Sequence, residues 1–438
     1  MAMRERKSES PERTSAPLVD RRERRSLSHV GGETVLAGEP ALAAELARAL
    51  AVDSSSAADA ETGQNTGEEE TRAHVHGFHT YPARMHPATA SRLVAAFSRE
   101  GDVVLDPFCG SGTVLVEARL LKRRAIGVDA NPLAVRLARR KAVPAYEAEL
   151  AELSKAAERV AAVATERRKA KTGASKRYPP PDMEAFDAHV LLELDGIKVG
   201  LATVAEQQAR ATLELVLSSI LVKLSRRRGD TAAGTRTTRL AAGYPTRLFL
   251  KKTAELVGLL SLAAPGLALG PRADVFEDDA RVMREAVPAS VDLVVTSPPY
   301  PGVYDYVEHH RLRLRWLDLK ERAFADSEIG ARRDLKKLGS AAAAEAFETQ
   351  MREVLVTLER VLKPTGRAIF LVADGAHADS AIRADAVLTR AAAASGFQVA
   401  AIASQSRPHF HAPTSRAFAE RPRYEHAILL ARDARHVK

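Results

Sequence analysis

The chain is almost without cysteine: Cys109 is the single one in 438 residues. One thiol excludes an internal disulfide and a zinc site built from several cysteines. No run of about 18 apolar residues occurs, so no membrane span is predicted. No apolar leader follows the first methionine, so no secretory signal is predicted. These absences indicate a cytoplasmic protein. What is present is a hydrophobic fraction of 45%, ample for a sizeable core, and a length that allows two or three domains. Lys and Arg number 65 against 56 Asp and Glu, a net charge of +9, which suits an anionic partner.

Two stretches carry chemistry. Val291–Tyr300 reads VDLVVTSPPY. Val291–Val295 predicts a short buried strand, and two consecutive prolines then impose a stiff, non-helical lip at its end. The lip offers carbonyls at Ser297 and Pro298, a hydroxyl at Ser297 and a ring at Tyr300. That set suits a planar group bearing an exocyclic amine, since carbonyls accept its hydrogens and a ring stacks on its face. A proline-bounded turn is the alternative reading of this stretch alone. Asp102–Val116 reads DVVLDPFCGSGTVLV. Val103–Leu105 predicts a strand ending in Asp106, a turn follows at Gly110-Ser111-Gly112, and Thr113–Lys122 has helical composition. Strand, glycine turn and helix make a nucleotide-type cofactor site. A second strand, Ala125–Val128, ends in Asp129 at about the 20-residue spacing expected of an acid that holds ribose hydroxyls.

Together these residues resemble the class I S-adenosylmethionine (AdoMet)-dependent methyltransferases, specifically the amino-methylating DNA methyltransferases. DPFCGSGT is similar to their cofactor motif and TSPPY to their catalytic motif. Serine at the first position of SPPY resembles the cytosine-N4 group more than the adenine-N6 group. The resemblance spans Phe78–Tyr146 and Asp274–Arg432. It implies a Rossmann-like α/β three-layer sandwich, a mostly parallel sheet with an antiparallel last strand. It implies AdoMet as cofactor and double-stranded DNA as partner, with any restriction endonuclease a separate chain. A base in a duplex would have to be flipped out to reach such a cleft.

On that resemblance Ser297, Pro298, Pro299 and Tyr300 are the catalytic lip. Asp106, Phe108, Gly110, Gly112, Thr113 and Asp129 form the cofactor site. Backbone amides at Gly110 and Gly112 are expected against the methionine portion. Asp279, followed by Ala280, resembles the acid that holds the adenine amine. HVHGFHTYPARMHP, residues 74–87, holds four histidines, but without Cys, Asp or Glu a metal reading fails. It resembles the segment that closes the cofactor pocket, so Tyr81, Arg84 and His86 are expected at the methionine end. Cys109 lies inside the glycine turn, and no Pro-Cys occurs near Tyr300, so it is read as packing and methyl transfer as direct.

The remaining chain divides into an unstructured tail, residues 1–72, with a short helix possible at Pro40–Val52; a cofactor half, 73–141; a helical insertion, 142–270; and a catalytic half, 271–438. The insertion includes a predicted long helical stretch Leu201–Leu224, then Arg226, Arg227 and Arg228 in a basic loop that suits phosphate contact. After the lip, Tyr304 and Tyr306 are placed to stack on bases, His310 and Arg311 to touch phosphate, and the basic stretch from Gln405 to Arg423 is a second candidate phosphate contact. An RNA or tRNA base methyltransferase, an adenine-N6 DNA methyltransferase and a non-catalytic AdoMet-dependent nucleic-acid-binding protein are the alternatives.

Overall fold

The computed structural model describes residues 32–51, 74–82, 84–227, 239–377, 379–407 and 412–433. Its centre is a sheet whose strands are apolar at consecutive positions because both faces are covered. Val104, Leu293, Val295, Ile369, Leu371 and Leu429 pack into one apolar cluster. Their neighbours Leu105, Val294, Phe370, Val372, Ile428 and Leu430 pack into another on the opposite face. Period-two alternation of side-chain direction turns one hydrophobic run into two cores.

The strands are β1 (Thr34–Gly38), β2 (Val103–Asp106), β3 (Arg124–Asp129), β4 (Ala273–Glu277), β5 (Val291–Thr296), β6 (Leu362–Ala373), β7 (Gly375–His377), β8 (Ser380–Ile382), β9 (Phe397–Ser406) and β10 (Tyr424–Arg432). The main sheet has the order β1-β9-β10-β6-β5-β2-β3-β4, while β7 and β8 pair separately. Strands β4, β3, β2, β5 and β6 are mutually parallel. β10 runs antiparallel to both β6 and β9. This is the Rossmann-like methyltransferase sheet, mostly parallel with its last strand reversed. From β2 the chain builds outward through β3 and β4 on one side, then returns to lay β5 and β6 on the other. The ends of β2 and β5 thus flank the topological switch point, where open α/β sheets bind ligands.

The expectation of an unstructured stretch over 1–72 is corrected within it. Residues 34–38 add β1 to the sheet edge against β9; the short helix allowed for at Pro40–Val52 forms as Pro40–Leu50 and buries Ala43, Leu46, Ala49 and Leu50. Residues 1–31 and 52–72, also within that expectation, lie outside the described residues.

Between β3 and β4 the described chain is helical: Pro132–Lys141, then Glu147–Lys169, Pro180–Ala185, Ala188–Ala202, Gln207–Leu224 and Tyr244–Leu269. The expected single stretch over 201–224 is two helices, broken at residues 203–206, where the Glu206 side chain caps the second by accepting from the amides of Gln208 and Ala209. Tyr244–Leu269 is long and apolar enough to cross a membrane by length and composition; here it packs on Glu147–Lys169 and Gln207–Leu224. Arg119, 5% exposed on the helix Thr113–Leu120, ties both ends of this excursion together. Its guanidinium donates to the carbonyl of Ala142 at the entry and to those of Leu267 (2.7 Å) and Gly270 (3.1 Å) at the exit.

Candidate active site

The two motifs meet. A cleft of about 830 Å³, partly open to solvent, has Asp106, Phe108, Gly110, Ser111, Thr113 and Asp129 on one wall and Ser297 and Pro299 on another. A direct bond joins the strand tips: Thr296 Oγ1 donates to Asp106 Oδ1 at 2.6 Å. The same carboxylate oxygen accepts from the Phe108 amide at 3.1 Å. Asp106 is 3% exposed, and burial pushes its carboxyl up to about 7 despite these two donors. Asp129 closes the end of β3. Its Oδ2 accepts from the Gly110 amide and its Oδ1 from the Asn131 amide, both at 2.8 Å. Burial again raises the carboxyl, to about 6.

The glycine turn has a specific shape. Gly110 has φ +49° and Gly112 φ +86°, and a Cβ on Gly112 would lie 2.9 Å from Ala138 Cα. Only glycine combines that left-handed backbone with so close a helix contact. The amides expected to meet the cofactor are already engaged: that of Gly110 by Asp129, that of Gly112 by the Cys109 carbonyl at 2.8 Å. Gly112 shapes the turn from behind and does not line the cleft. The groups left open are hydroxyls. Ser111 Oγ and Thr113 Oγ1 are buried and have no partner among the described residues. Ser111 is marked in the sequence only by its place between the two glycines of the motif. Cys109 is buried, with its thiol pushed well up by desolvation, which fits a packing role.

Tyr81 and Arg84 line the cleft. Tyr81 accepts from Asn131 Nδ2 at 3.3 Å and lies flat on His310, ring centroids 4.9 Å apart at 23°. One expectation falls with that stack. His310 is fully buried beneath Tyr81 and burial keeps it well below its ordinary value, so it is a neutral packing ring and no phosphate ligand. His86 is also buried; its Nδ1 accepts from the Ala88 amide at 3.2 Å as N-cap of the helix Pro87–Phe97. A proline-started helix needs such a cap, and that demand takes the imidazole away from the cleft. Asp279 is likewise turned aside. Burial pushes its carboxyl up, but Arg281, donating through its amide at 2.8 Å and its guanidinium at 2.6 Å, holds it below the usual range; the neighbouring Ala280 is what faces the cleft.

Phe324, Ser327, Glu328 and Ile329 complete the cleft, and no motif in the sequence announced them. Glu328 accepts from the Tyr306 amide at 2.6 Å and pairs with Arg333. Burial raises its carboxyl even so. Tyr306 lines the cleft too. Pro298 is buried behind the lip. The Tyr300 hydroxyl donates to Glu425 Oε1 at 3.0 Å, and burial raises its ionisation far above the ordinary range.

Of the expected phosphate contacts, Arg311 is accessible but paired with Glu308 and Glu321. Arg226 is exposed and paired with Asp187 at 3.1 Å, and Arg227 is exposed. Arg228 lies outside the described residues. Within the second candidate stretch, Arg407 and Arg423 are buried, Arg407 on Glu425 and Arg423 on the Asp374 carbonyl, so neither is available to phosphate.

Residues 54–140 match the family model described as DNA methylase, the N6/N4 methyltransferases. That stretch, which holds the glycine turn and Asp129, is similar to the cofactor segment of the amino-methylating DNA methyltransferases. Type II methyltransferase M2.DpnII of Streptococcus pneumoniae is 39% identical over 83 residues, 19% of this chain and 29% of that protein. Type II methyltransferase M.MvaI of Kocuria varians is 27% identical over 281 residues, 57% of this chain and 59% of that protein. A tRNA (guanine(10)-N2)-dimethyltransferase of Methanocaldococcus jannaschii is 42% identical over 62 residues, 14% of this chain and 17% of that protein. The chain spans less than two thirds of the length of these relatives.

The cofactor that this likeness implies is S-adenosyl-L-methionine, and the cleft offers groups that suit it. Two buried hydroxyls, Ser111 and Thr113, lack partners for polar groups of a ligand. Three acids raised by burial, Asp106, Asp129 and Glu328, favour a positively charged guest.

Proposed function

We propose that this protein methylates the exocyclic amine of a base flipped from double-stranded DNA at a specific sequence, cytosine N4 in preference to adenine N6. The observation that carries the reading is the shared cleft: the serine lip after β5 and the glycine turn after β2 line one cavity, joined by the 2.6 Å Thr296–Asp106 bond. Serine at position 297 is what favours N4. AdoMet supplies an electrophilic methyl on a sulfonium, and the protein supplies orientation. Ser297, on the cleft wall, accepts a hydrogen of the amine. That draws the nitrogen lone pair out of conjugation with the ring, and holding it in line lowers the entropic part of the barrier. Asp106 and Asp129 place negative charge beside the cationic cofactor. The proton leaves after transfer, so no strong base is required. A cytoplasmic location and a restriction endonuclease on a separate chain belong to the same reading.

The second reading is an RNA base methyltransferase, favoured by the likeness of the cofactor segment to a tRNA (guanine(10)-N2)-dimethyltransferase. Mass spectrometry of nucleosides from DNA and RNA of cells with and without the gene decides between them. N4-methylcytosine in DNA that disappears on deletion is expected; a modified base confined to RNA would overturn the DNA assignment. Purified Ser297→Ala should lose at least about a hundredfold in methyl transfer with AdoMet affinity retained by calorimetry. Asp129→Ala should instead weaken AdoMet binding.

A further inference from the structure

Outside the cleft, three side chains from distant segments converge. Asp374 directly follows β6, His426 lies in β10, and Asp385 stands in the first turn of the helix Ala384–Ala393. Each offers one ligand atom, and the three atoms lie within 4.8 Å of one another. His426 Nε2 is 3.2 Å from Asp374 Oδ1 and 4.0 Å from Asp385 Oδ1. Asp374 and His426 are both 0% exposed. No local spacing marks the trio in the sequence. The register of β10 on β6, with His426 opposite Val372, brings the imidazole beside Asp374.

The hydrogen bonds of this group do not close. His426 Nδ1 lies 2.7 Å from Ser404 Oγ. If Nδ1 carries the ring proton, Nε2 turns a lone pair towards two carboxylate oxygens. If Nε2 carries it, the proton serves Asp374 at 3.2 Å. Asp385 Oδ1, a buried atom with no hydrogen-bond partner among the described residues, is then still unpaired. A doubly protonated ring changes nothing there, because Nε2 holds one hydrogen in either case. The other carboxylate oxygens are tied back. Asp374 Oδ2 accepts from Arg383 at 2.8 Å and from the Tyr424 amide at 3.1 Å. Asp385 Oδ2 accepts from Arg421 at 3.3 Å. The Ala384 amide also donates to Asp374 Oδ1, at 3.0 Å. Outer partners of this kind orient the ligands of metal ions.

We infer that Asp374, Asp385 and His426 form a binding site for a divalent transition-metal ion of the zinc class. One imidazole and two carboxylates are a zinc-type donor set, and ligand bonds of about 2.0–2.2 Å suit donor atoms spaced as these are. Such an ion satisfies all three inward lone pairs at once, with the Nδ1 proton donated to Ser404. Three protein ligands leave a further position for water. The site fastens β6, β10 and the helix Ala384–Ala393 together on the side of the lip. Gly375, next to Asp374, packs so closely there that a Cβ on it would come within 2.2 Å of the Pro301 carbonyl oxygen. The inference is independent of the methyl-transfer reading.

Equilibrium dialysis of the full chain against Zn²⁺, read by elemental mass spectrometry, tests it. The variant is Asp385→Asn, at a side chain that is 22% exposed and therefore tolerant of substitution. Wild type should bind zinc at least about tenfold more tightly than Asp385→Asn. Zn²⁺ should raise the unfolding midpoint of wild type and leave that of Asp385→Asn where it was. With Co²⁺ as probe, Asp385→Cys should add a sulfur-to-cobalt charge-transfer band that wild type lacks. Zinc uptake that is absent from wild type, or equal in wild type and Asp385→Asn, overturns the inference, since any ion then sits on other histidines. A Co²⁺ spectrum unaltered in Asp385→Cys overturns it too.

Discussion

Asp106 and Asp129 line the cleft with carboxyls raised to about 7 and about 6 by burial. A folded-state value above the ordinary one means that the folded protein binds protons more tightly than the unfolded chain. The associated stability is present below the unfolded value of 3.8 and is lost as pH rises through about 7. Cofactor binding runs the other way, because a sulfonium favours the ionised acids. AdoMet affinity measured by calorimetry should rise about tenfold from pH 6 to pH 8 and then level off. Asp106→Asn should flatten most of that slope. A flat wild-type profile would mean that neither acid senses the cofactor's charge.

Among elements, the joint between helical insertion and catalytic half turns on one acid. Asp182, on the short helix Pro180–Ala185, uses a single oxygen to accept from Arg315 at 2.8 and 2.6 Å and from Trp316 Nε1 at 3.1 Å. Trp316 also stacks on Tyr178, centroids 5.4 Å apart. Asp182→Ala leaves the buried indole N–H without a partner and should cost about 2 kcal/mol in chemical unfolding. Asp182→Asn, which keeps an acceptor, should cost less. Equal losses would show that the acid is filling space only. The joint was not legible in the sequence, which shows Asp182 as one acid after three prolines. The same holds for the cleft wall at Phe324–Ile329: those residues reach the cofactor site only through the fold, and no local pattern marks them. The strand ends were legible, because proline pairs and glycine turns impose backbone geometry wherever they occur.

At the scale of the molecule, the parallel strands could be read because burial on both faces leaves unbroken apolar runs. β1 could not. Its residues are mostly exposed, and its register partner Ser404 for Val35 lies at the far end of the chain. The helix after it is nonetheless part of the core: Leu46 is 0% exposed and the helix packs on β9. Leu46→Ala should therefore lower unfolding free energy by about 3 kcal/mol. A loss below about 0.5 kcal/mol would place the segment outside the cooperative unit.

The guanidinium of Arg119 has a wider meaning. By holding Ala142 beside Leu267 and Gly270, it makes the helical excursion a cassette with a single socket. A foreign lobe whose two ends lie equally close could be plugged in there with β3 and β4 undisturbed, so lobe and sheet become separately replaceable parts.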